Sequence, residues 1–202
     1  MSPRTYVYKQ VDGVDISFNL YLPILPSKPK HEFVQIQQIS HHTVIHDVPV
    51  VVYFHGGGMT VGTRKSWFPI WLHLRLASAG VAFISADYRL MPPSNGHDIV
   101  SDIVVLFEFL RTSLNPRLQD ETLLLRIDPT RIAVAGSSAG GLCAYLAAAH
   151  AAPKPIAVLS MYGLGGSFMV RHWTSSHFHT LHCLLNAPDA TLPHTQTHTF
   201  LP

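Results

Sequence analysis

Two runs of strand character open the chain, Thr5 to Val11 and Val14 to Leu22, with Asp12-Gly13 between them. An Asp-Gly pair suits the tightest two-residue turn, so the spacing predicts a β-hairpin. Val50-Val51-Val52-Tyr53-Phe54 is an uninterrupted apolar run of strand length, the mark of a strand covered on both faces. From Ser66 to Ala79 apolar residues fall at Trp67, Trp71 and Leu74, a helical stripe that Gly80 would end. Val81 to Ala86 reads as the next buried strand. Asn95 then stands as the cap of a helix whose stripe is Ile99, Ile103, Leu106 or Phe107, and Leu110. A polar-then-apolar link, Asn115 to Asp128, leads into a strand beginning at Ile132. Ala139 to Ala149 reads as a helix of small residues, and Ile156 to Met161 as one more apolar strand. Strands alternating with helices of this length imply parallel pairing. The fold class expected is α/β: a doubly wound, mostly parallel sheet with an N-terminal hairpin.

Two stretches break this rhythm. Residues 23 to 47 hold Pro23, Pro26, Pro29 and a polar cluster with His41-His42, and are expected to be a loop insertion. After Gly163 no strand-helix unit can be read, and six histidines crowd the sequence from His172 onward, interrupted by the apolar patch Leu181 to Leu185. The chain therefore divides into a domain over residues 1–165 and an irregular, His-rich tail over 166–202. Within the tail, His177, His179 and His182 lack cysteine or carboxylate partners at ligand spacing, so no metal site is expected there.

Composition narrows the classes. The chain has 202 residues, 47% hydrophobic and 13% charged, enough for a substantial core in one domain. A net charge of +2 gives no reason to expect nucleic acid or an anionic membrane as partner. The two cysteines, Cys143 and Cys183, form neither a disulfide framework nor a metal spacing, and Cys143 is expected to be packed in its helix. Ile132 to Ala149 approaches membrane-span length, but the turn at Gly136-Ser137-Ser138 and the pair Gly140-Gly141 make it a buried strand followed by a buried helix. The N-terminus lacks an apolar core of signal-peptide length, so the expectation is a cytoplasmic, soluble protein without a transmembrane segment.

The chemistry concentrates at Gly136-Ser137-Ser138-Ala139-Gly140-Gly141. Ser138 is the centre of a G-x-S-x-G pattern, which suits a sharp strand-to-helix turn with the hydroxyl pushed out above the sheet. Two other motifs close earlier strands: His55-Gly56-Gly57-Gly58 and Asp87-Tyr88-Arg89-Leu90. In this order the three resemble the α/β-hydrolase fold, specifically the hormone-sensitive-lipase-like esterases (alpha/beta hydrolase fold-3). Asp128-Pro129-Thr130-Arg131-Ile132 and Trp67-Phe68-Pro69 are similar to that family as well. The resemblance spans residues 5 to 165.

It implies a serine carboxylic-ester hydrolase that transfers an acyl group from a small or medium ester to water. Ser138 would be the nucleophile, and the backbone N–H groups of Gly57, Gly58 and Ala139 would form the oxyanion hole. His55 would brace its loop, and Asp87 and Arg89 would serve as scaffold. No cofactor is implied, and the expected partner is a small-molecule ester.

The family order is serine, then acid, then histidine. After Ser138 the only carboxylate is Asp189, with His194 and His198 following it. A strand-helix-strand crossover needs at least ~10–12 residues, more than separate Asp189 from His194. The acid and the histidine are therefore not identifiable from spacing. The chain reads as a C-terminally truncated form of a longer esterase, which would leave the Ile156–Met161 strand at an exposed sheet edge. The alternatives are a non-catalytic homologue that keeps the pocket and binds a small molecule, and an inactive truncated product. Oligomeric state is not legible.

Overall fold

A computed structural model describes residues 2–24, 46–121 and 125–164. Six strands form one sheet in the order β1-β2-β4-β3-β5-β6. They are β1 (Arg4–Val11), β2 (Val14–Tyr21), β3 (His46–Phe54), β4 (Ala82–Ala86), β5 (Leu125–Ser137) and β6 (Val158–Met161). β1 pairs antiparallel with β2, and β2 antiparallel with β4; the β4-β3-β5-β6 half is parallel. The hairpin turn has Asp12 at φ 50° and Gly13 at φ 79°, both left-handed, as the Asp-Gly pair requires.

Four helices connect the strands: α1 (Ile70–Ser78), α2 (Gly96–Thr112), α3 (Leu114–Asp120) and α4 (Ala139–His150). α2 starts on a full capping box. The Asn95 side chain accepts from the N–H of His97 and Asp98, and the Asp98 carboxylate accepts from the N–H of Asn95. α1 ends in a Schellman motif. Gly80, at φ 76°, donates to the Ala77 carbonyl at 3.2 Å, and Val81 donates to the Leu76 carbonyl at 2.9 Å.

The main core lies between the sheet and α2, α3 and α4, built on Phe18, Val52, Phe54, Ile84, Ile103, Leu106 and Leu142 among others. A smaller cluster, Tyr53, Leu72, Phe83 and Ala135, fills the space beneath α1 on the opposite face. Successive strand residues point to opposite faces, which is why Tyr53 and Phe54 belong to different clusters. Fully buried Asp102 on α2 ties the layers together through Lys9 at 2.7 Å and the Arg89 guanidinium at 2.9 Å.

Four expectations need correction. The helix after the glycine loop begins at Ile70, not Ser66, because Trp67 sits at φ 47° and Pro69 precedes the first turn. Its stripe of Trp67, Trp71 and Leu74 points outward, while Leu72 and Ala77 are buried. The Asn115–Asp128 link contains α3, anchored by buried Leu114 and Leu118 and by Asn115, whose side chain bonds both the N–H and the carbonyl of Ile127 at 2.8 Å. β5 starts at Leu125 rather than Ile132. Residues 128–131 bulge out opposite Pro49 alone, since Val48 pairs with Ile127 and Val50 with Ile132. Proline has no N–H to give the ladder, so the break falls where it costs least. Within the bulge Asp128 accepts from Thr130 and Arg131, and these bonds, that of the Thr130 hydroxyl foremost, lower its carboxyl to about 2.

β6 lies at the edge of the described sheet, with Val158 and Leu159 exposed. Most of the 23–47 insertion and nearly all of the tail fall outside the described residues. So do His41, His42, His177, His179, His182, Cys183, Asp189, His194 and His198. Among the described residues, no helix is long and apolar enough to cross a membrane.

Candidate active site

The parallel strands β3, β4 and β5 end side by side, each carrying one of the three motifs. β5 stops at Ser137, and α4 starts at Ala139, which leaves Ser138 alone to make the reversal. Its backbone is at φ 51° and ψ −119°, a strained conformation for a residue with a side chain. Neighbouring backbone over-determines it. The N–H of Ser138 donates to the Met161 carbonyl at 3.0 Å, and its carbonyl accepts from Gly141 and Leu164, both at 2.9 Å.

Close contacts explain the glycines around this serine. A Cβ on Gly136 would lie 1.9 Å from the Gly140 carbonyl oxygen, and one on Gly140 would lie 2.0 Å from that of Phe54. The start of α4 is thus pressed against the ends of β3 and β5, and side chains there would drive them apart. Ser138 is half-buried, and its hydroxyl has no hydrogen-bond partner among the described residues.

Gly57 and Gly58 leave β3 at φ 109° and φ 63°. A Cβ on Gly57 would meet the Val61 carbonyl oxygen at 2.0 Å. The Gly57 carbonyl is occupied by the N–H groups of Thr60 and Val61, both at 3.1 Å. The N–H groups of Gly57 and Gly58 enter no hydrogen bond among the described residues. Ala139 is the first residue of α4, so its N–H has no partner within the helix. Gly56 packs against the Ser138 side chain, its Cβ position 3.4 Å from that of the serine. Donors on two segments, the glycine loop and the start of α4, are therefore unspent among the described residues, and Ser138 stands at the positive end of a helix.

His55 is fully buried, its Nδ1 2.7 Å from the Gly56 carbonyl oxygen. Its ring stacks on Tyr88 at 4.5 Å between centroids and 13° between planes. The Tyr88 hydroxyl donates to the His55 carbonyl at 2.9 Å. Burial holds the imidazole below its ordinary pKa, which keeps it neutral. Asp87 pairs with the Arg64 guanidinium and accepts the Arg64 N–H, and Ser85 donates to the Arg64 carbonyl at 2.7 Å. Arg89 is held by Asp98 and Asp102. All three expected scaffold residues thus have structural partners, and Arg64 is the one the sequence reading missed.

Also missed was a hydroxyl pair beneath the turn. Tyr53 Oη and Ser137 Oγ are 2.7 Å apart and both buried. A tyrosine inside an otherwise apolar run, Val50 to Phe54, was the available signal, since a buried phenol needs a partner. Cys143 is buried in α4, and burial pushes its thiol up, well away from thiolate chemistry.

The alpha/beta hydrolase fold family matches residues 51–192 of the chain. Probable carboxylesterase M8 of a Phoma species is 34% identical over 117 residues, which is 56% of this chain and 37% of that protein. Carboxylesterase NlhH of Mycobacterium tuberculosis is 37% identical over 95 residues, covering 47% of this chain and 27% of the relative. Among solved structures, the thermophilic esterase Est2 of Thermogutta terrifontis superposes with a TM-score of 0.57 at 22% identity, over 80% of this chain and 53% of that one. The chain thus spans about half, or less, of the proteins it resembles. With the family matched over more than half its length and the three motifs assembled at adjoining strand ends, the chain belongs to the alpha/beta hydrolase fold family.

Proposed function

We propose that the chain carries the nucleophile and oxyanion hole of a serine carboxylic-ester hydrolase, with Ser138 as the attacking group. The observation that carries this reading is Ser138 in strained backbone, its hydroxyl without a partner among the described residues, with the N–H groups of Gly57, Gly58 and Ala139 likewise unspent there. In acyl transfer the serine oxygen bonds to the ester carbonyl carbon, and the carbonyl oxygen takes up negative charge. The three N–H groups are the donors for that charge; losing one such donor typically costs ~2.7–4 kcal/mol in the barrier. Collapse of the intermediate expels the alcohol, and water then releases the acid and regenerates Ser138.

Serine attacks efficiently only when a base takes its proton. No histidine hydrogen-bonds Ser138 among the described residues, and His55 is committed to its own loop. The base and its acid are not identifiable among the described residues. In family order the sequence offers Asp189 with His194 or His198. Turnover of p-nitrophenyl acetate, abolished by Ser138→Ala and by His194→Ala or His198→Ala, supports this reading. Turnover that survives Ser138→Ala refutes it.

That no histidine reaches Ser138 among the described residues, together with a cleft lined by Ser137, favours a second reading: a homologue that binds a small molecule without turning it over. Ligand-dependent thermal stabilisation with no hydrolysis would select it.

A further inference from the structure

The glycine loop does not stop at Gly58; the chain folds back onto the sheet before α1. A peptide unit is planar and trans, so the carbonyl of one residue and the N–H of the next point in opposite directions. The Gly57 carbonyl and the Gly58 N–H belong to one such unit. That carbonyl accepts from the N–H groups of Thr60 and Val61, both at 3.1 Å, and from the Thr60 hydroxyl at 3.2 Å. The Gly58 N–H is thereby turned away from the Thr60–Val61 turn. Its direction is only as well defined as the positions of Thr60 and Val61.

Two anchors hold those two residues. On one side the Met59 carbonyl accepts from Met91 at 2.8 Å. On the other, Gly62 lies against the His55 ring at φ 111°, its Cβ position 2.7 Å from Nδ1. Thr63 and Ser66 then close a turn. The Ser66 N–H donates to the Thr63 carbonyl at 2.8 Å, and the Thr63 N–H donates to Ser66 Oγ at 3.1 Å.

Arg64 sits inside this turn and is bonded through backbone and side chain alike. Its N–H donates to one Asp87 carboxylate oxygen at 2.5 Å, and its guanidinium pairs with the other. Its Nε donates to Oδ1 of Asn19 on β2 at 2.9 Å, and Oγ of Ser85 on β4 donates to its carbonyl at 2.7 Å. Asn19 and Ser85 are both buried, so the ties run into the sheet rather than across its surface. The planar fork of a guanidinium serves two acceptors at once, which the single ammonium of lysine does less well.

We propose that Arg64 is a positioning residue for the oxyanion hole. By tying the return limb of the loop to Asn19, Ser85 and Asp87, it keeps Thr60 and Val61 on the Gly57 carbonyl and so sets the direction of the Gly58 N–H. As a statement about catalysis this rests on the esterase reading. As a statement about the loop it rests on the bonds alone.

Amide hydrogen exchange, followed by NMR on the full chain, tests the loop without Ser138 chemistry. In Arg64→Ala the Thr60 and Val61 N–H groups should exchange about tenfold faster or more, while that of Val134 on β5 keeps its wild-type rate. Arg64→Lys retains a charge beside Asp87 and should fall between, and it carries the test if Arg64→Ala does not fold. Asn115→Ala, which removes both bonds to Ile127 at the far end of β5, should leave exchange at Thr60 and Val61 unchanged. In p-nitrophenyl acetate turnover, Arg64→Ala should lower kcat about tenfold or more at unchanged KM, the mark of support lost in the transition state alone. Wild-type exchange at Thr60 and Val61 in the Arg64 variants overturns the proposal, and so does faster exchange with kcat unchanged. Failure of the esterase reading would show instead as absent turnover in the wild type, with the exchange effect intact and the loop assignment upheld.

Discussion

Gly140→Ala sets two physical effects against each other, and the structure decides the sign. Glycine within a helix is about 1 kcal/mol less favourable than alanine, so propensity alone makes the variant more stable. The new methyl group, however, would lie 2.0 Å from the Phe54 carbonyl oxygen and 2.6 Å from that of His55. Ordinary contact begins at 3.4 Å, so α4 would have to retreat by about 1.4 Å, the difference between 3.4 and 2.0 Å. Both obstacles are backbone in or next to β3 and cannot rotate away. Overpacking of this kind costs ~1–3 kcal/mol, and immovable partners put it at the upper end. Subtracting the helical gain leaves a destabilisation of about 2 kcal/mol. For a chain of this size that is a fall in Tm of about 4–8 °C. Urea unfolding at unchanged m-value is the assay, with Gly80→Ala as control. Gly80 has open space around its Cβ position, so Gly80→Ala pays only for φ 76°, about 1 kcal/mol. A Gly140→Ala variant as stable as wild type, or more so, would refute the claim that α4 is pressed onto the strand ends that hold Ser138.

The remaining expectations concern the loop and its supports. Gly57→Ala puts a methyl group 2.0 Å from the Val61 carbonyl oxygen at φ 109°, so the loop amides shift. Reaction at Ser138 should slow by about 100-fold or more, the usual consequence of losing one oxyanion donor. Asp87→Ala frees both the guanidinium and the N–H of Arg64 and should cost about 2 kcal/mol in urea unfolding. Burial lowers the pKa of His55, and to the same effect that of His73. The unfolded chain then binds more protons, so stability is complete above the unfolded value near 6.5 and falls as pH drops below it. Tm measured between pH 7.5 and 5 should decline, and a His55→Gln variant should decline less steeply over the same interval.

The features legible in the sequence were those made by neighbours in the chain. The Asp12-Gly13 turn, the Asn95 cap and the Ser138 reversal each need particular residues at fixed offsets, and each is found where those residues lie. What was misread depended on distant partners. The Trp67, Trp71, Leu74 stripe is apolar at helical spacing, but periodicity cannot say whether an apolar face meets a core or a cleft. Asp128-Pro129 looks like the end of a link, yet β5 runs through it because Pro49 on β3 leaves room for a bulge. α3 was read as part of a link, although Pro116 falls in its first turn, where proline is tolerated. Arg64 was not singled out because its role exists only once Asp87 on the next strand end stands beside it.

The central claim is that the turn between β5 and α4 presents Ser138 as the nucleophile. Site-resolved mass spectrometry after exposure to a fluorophosphonate tests it most directly, since covalent capture reads the serine itself rather than turnover. A single adduct on the peptide carrying Ser138, absent in Ser138→Ala and slowed in Gly57→Ala, is the expected result. An unmodified Ser138, or an adduct on any other residue, would contradict it.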